Sequence, residues 1–344
     1  MFLSTEQIYR NIEWLLENAS PPVKYLTHCQ LLGLNPHSSA VEELWQAVKQ
    51  SEIVQNVFSK QRSDGSWYER MPWARKPAYS PQGGYSPFTP KYVTTVWTLM
   101  ILGEMGFQTG DPRIDRACDY VLAHQLPIGL FHRFAKSTTI PDWGVKPASE
   151  LESAPCELSV YLGALTGVGM SGDPRLAKSF DLLVEWQRED GGWVLQKHLE
   201  ERFKTRSCPS STHGASIALY QSGHREYESA LLKALSFLIG HLSLKDPREL
   251  HRFVFRGHNL LQEMLMFSDL GVGLEALPVR TFLEWLMSLY DPVRGCFRYS
   301  GPKSEATDLG PTGAKYSLFH LIEDDWLTYR VTRIAANLAS SSIT

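Results

Sequence analysis

Gly106-Phe107-Gln108-Thr109-Gly110-Asp111-Pro112-Arg113 is matched further along the chain by Gly169-Met170-Ser171-Gly172-Asp173-Pro174-Arg175, one residue shorter between its first two glycines. Twelve residues past each arginine stands a glutamine, first Gln125 and then Gln187. Gln187 opens Gln187-Arg188-Glu189-Asp190-Gly191-Gly192-Trp193, and an earlier copy reads Gln61-Arg62-Ser63-Asp64-Gly65-Ser66-Trp67. Two weaker copies, Gln125-Leu126-Pro127-Ile128-Gly129-Leu130-Phe131 and Asp291-Pro292-Val293-Arg294-Gly295-Cys296-Phe297, keep the glycine and an aromatic at the same offsets. A motif that recurs through a chain signals stacked supersecondary modules.

Each module reads as a helical hairpin. Asp111 and Asp173 stand where an N-cap belongs, with proline at the first helical position, so a helix begins at both. From Arg175 to Gln187, Leu176, Phe180, Leu183 and Val184 alternate with Lys178, Asp181 and Glu185, the pattern of an outer helix with one wet face. The preceding stretch, Cys156 to Gly169, is apolar or small nearly all round, so it must be covered on every side or face a cavity.

The same reading along the chain gives inner helices near 23–33, 92–105, 157–169, 210–222, 258–270 and 325–338. Outer helices are expected near 5–18, 40–60, 112–124, 174–187, 225–242 and 278–290. Equal numbers suggest closure: the first helix, opened by Ser4 and Gln7 as a capping box, becomes the outer partner of the last. The expected fold is therefore all-α, an (α/α)6 toroid formed by residues 1–344 as one domain, whose first and last helices touch. Local periodicity fits an open solenoid of hairpins as well.

Composition sets outer limits. The 344 residues are 43% hydrophobic and 21% charged, ordinary for a chain that buries a large core. A formal net charge of −3 with no cluster of Lys and Arg argues against nucleic acid as a partner. The opening Met1-Phe2-Leu3-Ser4-Thr5-Glu6 lacks the features of a signal peptide and no apolar run reaches membrane-spanning length, so the expected location is cytoplasmic. Five widely spaced cysteines, Cys29, Cys118, Cys156, Cys208 and Cys296, read as reduced thiols.

Gln61-x-x-Asp64-Gly65-x-Trp67 and Gln187-x-x-Asp190-Gly191-x-Trp193 resemble the QW repeats of squalene and oxidosqualene cyclases and of prenyltransferase β-subunits. The periodicity covers most of the chain, which as a whole is similar to short bacterial prenyltransferase and squalene-oxidase repeat proteins. The resemblance implies an α/α toroid in which the Gln and Trp tie turns between helices together and take no part in catalysis. It also implies an enzyme acting on a hydrophobic, isoprenoid- or terpenoid-like molecule in a central cavity.

In a ring of hairpins the inner helices run the same way and their N-terminal ends gather at one mouth. Lys91 and Tyr92, Cys156, Cys208 to His213, Gly257 to Asn259 and Asp324 to Trp326 meet there. One reading is a zinc site of Cys156, Cys208 and His258, or else His213, with water as fourth ligand, since thiolate and imidazole suit zinc and an open position suits catalysis. Protein prenyltransferases and lanthionine cyclases similarly hold zinc with Cys and His. This chain departs from both, having neither an Asp-x-Cys pair nor adjacent Cys and His. The plainer reading makes each thiol a small apolar residue near a helix start.

A second reading places a hydrophobic small molecule against Trp97, Tyr161, Tyr220, Phe267, Trp326 and Tyr329 on the inner helices, where ring faces stabilise cationic centres. His258 and Asp325 are then the candidate catalytic residues. The Asp-x-Asp-Asp acid motif of squalene-type cyclases is absent; Glu323-Asp324-Asp325 is the nearest carboxylate cluster, and a helix cap explains it equally. No Asp-rich magnesium motif and no phosphate-binding glycine loop appears, so zinc is the single cofactor expected. The remaining histidines lack metal-ligand spacing, and no nucleophile-elbow sequence is present. Long connections at 68–90, 126–155, 194–208 and 298–323 read as lids or as segments packed over the scaffold. The alternative from a different class is a non-catalytic toroid that binds a lipid or a protein partner.

Overall fold

A computed structural model describes residues 3–68, 86–88, 94–131, 155–194, 206–242, 254–299 and 324–341. Among these residues it is all-α apart from a two-residue antiparallel pair, β1 (Tyr290–Asp291) and β2 (Cys296–Phe297), with Tyr290 opposite Phe297, and the isolated bridges Tyr68 to Thr94 and Gln125 to Phe131. The expected inner helices are α2 (Pro21–Leu26) continued by a π turn (Thr27–Leu31), α5 (Thr95–Glu104), α7 (Pro155–Gly167), α9 (Pro209–Ser222), α11 (Val254–Leu270) and α13 (Asp324–Ser341). The outer ones are α1 (Thr5–Asn18), α6 (Pro112–Leu122), α8 (Ala177–Glu185), α10 (Glu228–Leu242) and α12 (Leu277–Met287).

One outer element differs from expectation. The stretch 40–60 is two helices, α3 (Ser39–Gln50) and α4 (Glu52–Ser59), broken at Ser51. Ser51 is extended at ψ 143, its N–H donating to the Val48 carbonyl while its own carbonyl accepts from the Gln55 N–H, so it ends one helix and begins the next.

Caps decide the other starts. Asp111 and Asp173 accept hydrogen bonds from the N–H groups of Arg113 and Arg175, both at 2.9 Å. Arg175 also donates through its side chain, and this bond holds the Asp173 carboxyl below the usual carboxylate range. Ser4 accepts from the Gln7 N–H at 3.1 Å, whereas the Gln7 side chain turns to Asn11 and leaves the capping box half made.

The chain divides into two compact units. One holds α5 to α9 and α10 as far as Leu238. Its inner helices α5, α7 and α9 are parallel neighbours packed through glycine: a Cβ on Gly103 would stand 2.6 Å from the Gly167 carbonyl oxygen, and one on Gly214 would stand 2.6 Å from Ser159 Oγ. Gly163 faces Ile217 and Thr166 Oγ1 lies 3.0 Å from Gln221 Oε1, so residues 54 or 55 apart in sequence stay level along α7 and α9. Leu158, Tyr161, Leu162, Ala164 and Leu165 are all buried, which explains why α7 has no polar stripe.

Every repeated turn in this unit docks on the next outer helix by the same two devices. The Gln61 side chain donates to the Arg113 carbonyl, that of Gln125 to the Arg175 carbonyl, and that of Gln187 to the Ala230 carbonyl, at 2.8, 2.7 and 2.7 Å. Three residues further along each outer helix, the turn glycine lies against backbone: a Cβ on Gly65, Gly129 or Gly191 would fall 2.4 to 2.8 Å from Arg116, Lys178 or Lys233 main-chain atoms. The aromatic then reaches the following inner helix, as the Trp67 and Trp193 N–H groups donate to Thr95 Oγ1 and Thr212 Oγ1, each at 3.1 Å. Gln and Trp are thus turn-tying residues.

The other unit holds α1 to α4, α11 to α13 and the β pair. Its fourth turn repeats the pattern, with the Phe297 N–H donating to Thr328 Oγ1 of α13 at 2.9 Å. Gly295 faces Trp14 of α1, whose ring carbon Cδ1 would lie 3.5 Å from an added Cβ. Beside this turn α1 takes the place that α6, α8 and α10 hold beside theirs. The first helix also packs on the last, joined by a buried hydrogen bond of 3.0 Å from Asn11 Nδ2 to Thr332 Oγ1. The expected pairing of chain beginning and chain end is therefore present. Among the described residues no helix is long and apolar enough to cross a membrane.

Candidate functional site

Four aromatic rings gather between the start of α5 and the middle of α7. Phe88 stacks on Tyr161 with centroids 5.6 Å apart and tilts against Trp97 at 5.5 Å. Phe131, the last residue of the second repeated turn, stacks nearly parallel on Tyr161 at 4.5 Å and 6°. The Trp97 indole N–H donates to the Phe88 carbonyl at 3.0 Å, which satisfies the polar atom of an otherwise apolar ring. Trp97 and Tyr161, both expected to line a ligand site, are brought together here through Phe88, and Tyr161 is fully buried.

Tyr220 stands apart. The register of α7 and α9 places it level with Leu165 and Thr166, roughly 6–8 Å along the axis from Tyr161, and it is half-buried. The other three expected lining residues belong to the second unit. Trp326 and Tyr329 meet edge to face at 6.2 Å, the Arg330 guanidinium lies 5.9 Å over the Trp326 ring, and Phe267 is fully buried on α11. The Tyr329 hydroxyl donates to Gln30 Oε1 on the π turn, an oxygen that Arg333 also engages at 2.6 Å. Burial pushes the Tyr329 phenol above its ordinary pKa, so this hydroxyl is a donor at neutral pH.

Of the two candidate catalytic residues Asp325 alone has a described side chain, and both of its oxygens accept hydrogen bonds. Asp325 Oδ2 accepts from both the N–H and the hydroxyl of Ser20, at 2.9 and 2.6 Å, and Oδ1 accepts from the Trp326 N–H at 2.8 Å. Ser20 is the residue that begins α2, so Asp325 ties the starts of two inner helices together. Glu323, Lys91 and Tyr92 lie outside the described residues, as do most of the long connections.

Cys156 and Cys208 sit, half-buried, at the starts of α7 and α9. The register sets Cys156 level with Ser210 and Ser211, so the two sulfur-bearing residues are offset by roughly 3–5 Å along the axis. Among the described residues no three His, Cys, Asp or Glu side chains come together to hold a metal ion, which includes Cys156 and Cys208 with His213. His258 lies on α11 in the other unit, and its side chain is outside the described residues. The described donors alone form no three-ligand set, and the one completed by His258 lies outside the described residues.

Two thiols are inert by position. Burial pushes Cys118 up to about 12 and Cys296 up to about 11, and they are 2% and 1% exposed. Because the thiolate is the nucleophile, both remain protonated and unreactive. Iodoacetamide at pH 8 is expected to modify Cys156 and Cys208 in the folded protein while Cys118 and Cys296 react only after unfolding. Peptide mass spectrometry reads the order, and labelling of Cys118 as fast as Cys208 would contradict the packing described.

Phe88 and Phe131 were not among the expected lining residues. Phe131 had a signal, since it occupies the aromatic position of a repeated turn and that position always points to the following inner helix. Phe88 had none beyond its place in an aromatic-rich connection. Thr95, Thr212 and Thr328, which receive the turn aromatics, also went unmarked, although each stands within the first turns of an inner helix.

No family model and no curated protein sequence matches the chain. Among solved structures it is similar to the type II terpene cyclase MstE from Scytonema. A variant of that enzyme in complex with merosterolic acid A matches at 15% identity, over 98% of this chain and 97% of that one, with TM-score 0.46. The apo enzyme matches at 14% identity, over 99% of both chains, with TM-score 0.43. A protein from Actinoplanes matches at 15% identity, over 98% of this chain and 99% of that one, with TM-score 0.45. TM-scores below 0.5 mark a distant likeness, and function is to be sought in this chain's own side chains.

Proposed function

We propose that this protein is an enzyme acting on a hydrophobic, isoprenoid-like molecule held against aromatic side chains of its inner helices. The observation that supports the reading is the ring cluster of Trp97, Phe88, Tyr161 and Phe131 on helices that carry no polar stripe. Such a lining excludes water from a reacting hydrocarbon, and ring faces favour the cationic centres that form when a double bond is protonated or an allylic group departs. Asp325 is given no proton-transfer role, because both its oxygens are engaged in holding Ser20 and the start of α13. Its part is to position the helix starts.

That engagement also favours a second reading, a non-catalytic protein that binds a lipid. Incubating the purified chain with prenyl diphosphates and with squalene, and searching for new products by mass spectrometry, separates the two. Turnover establishes the enzyme; no product together with a stoichiometric co-purified lipid establishes the binder. Neither product nor bound lipid would end both.

A further inference from the structure

We propose that the N-terminal end of α9 binds an anion of phosphate type, through the main-chain N–H groups of Ser210 and Ser211 and the hydroxyl of Ser211. The anion is the diphosphate end of an isoprenoid-like molecule, a part of the inference that rests on the reading just given.

Three donors at this end have nothing to donate to. α9 runs for 14 residues from Pro209, and its cap residue Cys208 makes no side-chain hydrogen bond. The first bond of the helix runs from the Thr212 N–H to the Cys208 carbonyl at 2.9 Å. Pro209 has no N–H, so those of Ser210 and Ser211 are left, and among the described residues neither finds an acceptor. The Ser211 side chain is fully buried, and its Oγ also lacks a hydrogen-bond partner among the described residues. The neighbouring Thr212 hydroxyl donates to the Cys208 carbonyl at 2.9 Å, whereas Ser211 makes no such bond. A Cα–Cβ bond in a helix tilts toward the N-terminus, which sends the Ser211 hydroxyl to the same end as the two N–H groups. Burying a hydroxyl without a partner is unfavourable, and an alanine here would avoid the cost.

The end is preorganised and its field is positive. The Cys208 N–H donates to the Trp193 carbonyl at 2.7 Å and the Trp193 N–H to Thr212 Oγ1 at 3.1 Å, so the repeated turn holds both the cap and the first turn. The helix contributes partial positive charge, and Arg206, two residues before the cap, is exposed and in no ion pair among the described residues. The register of α7 and α9 sets Ser211 level with Cys156 and Glu157. Glu157 stands two residues before Ser159, the residue that meets Gly214 of α9, so its carboxylate is roughly 200° round α7 from that contact and turned away. Ser210 is exposed, which leaves the end open to solvent. Three donors suit a phosphoryl group, which has oxygens for all of them.

Isothermal titration of the full chain with inorganic diphosphate, farnesyl diphosphate and farnesol tests the site. Farnesyl diphosphate is expected to bind about tenfold more tightly than farnesol. Ser211→Ala is expected to weaken the binding of both diphosphates about tenfold, while its melting temperature equals or exceeds that of the native chain because an unpartnered hydroxyl is gone. Ser210→Pro removes one N–H donor and is expected to weaken binding to a similar degree; the helix tolerates it, since α2 begins with Pro21-Pro22 at the same two positions. No binding of either diphosphate by the native chain, native affinity in either variant, or a melting temperature of Ser211→Ala several degrees below native overturns the site. Should Ser210→Pro unfold, Ser211→Ala alone decides. Farnesyl diphosphate binding at least tenfold tighter than inorganic diphosphate identifies a lipid headgroup as the ligand, and equal affinities keep the anion site but remove its tie to an isoprenoid. Site and enzyme fail separately: weakened binding in the variants without turnover of any prenyl substrate keeps the site alone, and turnover unaltered in both variants keeps the enzyme alone.

Discussion

Replacing Trp193 by alanine is expected to lower the stability of the fold by about 4 kcal/mol. The side chain is fully buried, and its loss leaves a void the size of an indole. It also strips a 2.7 Å hydrogen bond from the Leu183 carbonyl, a buried acceptor that then has no replacement from this residue. Domains of ordinary stability hold about 5–15 kcal/mol in total, so this one change removes between roughly a quarter and four-fifths of it. Urea denaturation read by circular dichroism gives the measurement. A loss below about 1 kcal/mol would show that the repeated turns are not what fixes the hairpins to each other. Trp193→Phe keeps most of the volume and loses only the indole bond, so its cost should be well under half as large.

Substituting Gly191 by alanine is expected to cost about 3 kcal/mol, from two sources that Gly223→Ala separates. Both glycines have positive φ, at 83° and 65°, so an alanine at either pays the penalty of a left-handed backbone, roughly 1–2 kcal/mol. Around Gly223 nothing lies within 4 Å of a new Cβ, whereas at Gly191 it would meet the Lys233 carbonyl oxygen at 2.4 Å. Turn and outer helix must then move apart, which adds roughly 1–3 kcal/mol. Melting temperatures of the two variants decide the matter, and equal shifts would mean that the turn does not rest on α10 as described. Gly65→Ala should behave like Gly191→Ala, since the Arg116 carbonyl oxygen stands equally close.

Much of this architecture is readable from the chain itself, and for a physical reason. Helix starts are written locally, in Asp111-Pro112 and Asp173-Pro174, and an inner helix such as α7 betrays itself by having no polar stripe. Gly65, Gly129 and Gly191 of the first three repeated turns mark a backbone approach that no other residue permits. Ser51 also carried a local signal: a serine before Glu52 can close one helix and open another, yet the hydrophobic spacing of 40–60 runs through it undisturbed. The π turn at 27–31 has no comparable sign, and the partners its Gln30 meets, Tyr329 and Arg333, are some 300 residues away.

Site residues were less legible, because their partners are remote. That Asp325 would meet Ser20, 305 residues away, depends on where the ends of the chain pack, and a carboxylate used for capping looks the same in sequence as one used for catalysis. The aromatic residues of the inner helices could be assigned to those helices, but which of them share a space follows from the helix register. Hence Trp97 and Tyr161 come together and Tyr220 does not. Phe88 enters from a connection whose length says nothing about where its rings are seated.

The bond from Asn11 to Thr332 joins residues 321 positions apart. During synthesis, at roughly 5–20 residues per second, α1 leaves the ribosome between about fifteen seconds and a minute before the helix that will shelter it. Throughout that interval Ile8, Ile12 and Leu15, buried in the finished molecule, have no native cover from α13. Through that interval the nascent chain thus carries an exposed greasy stripe, the kind of surface that a ribosome-associated chaperone engages.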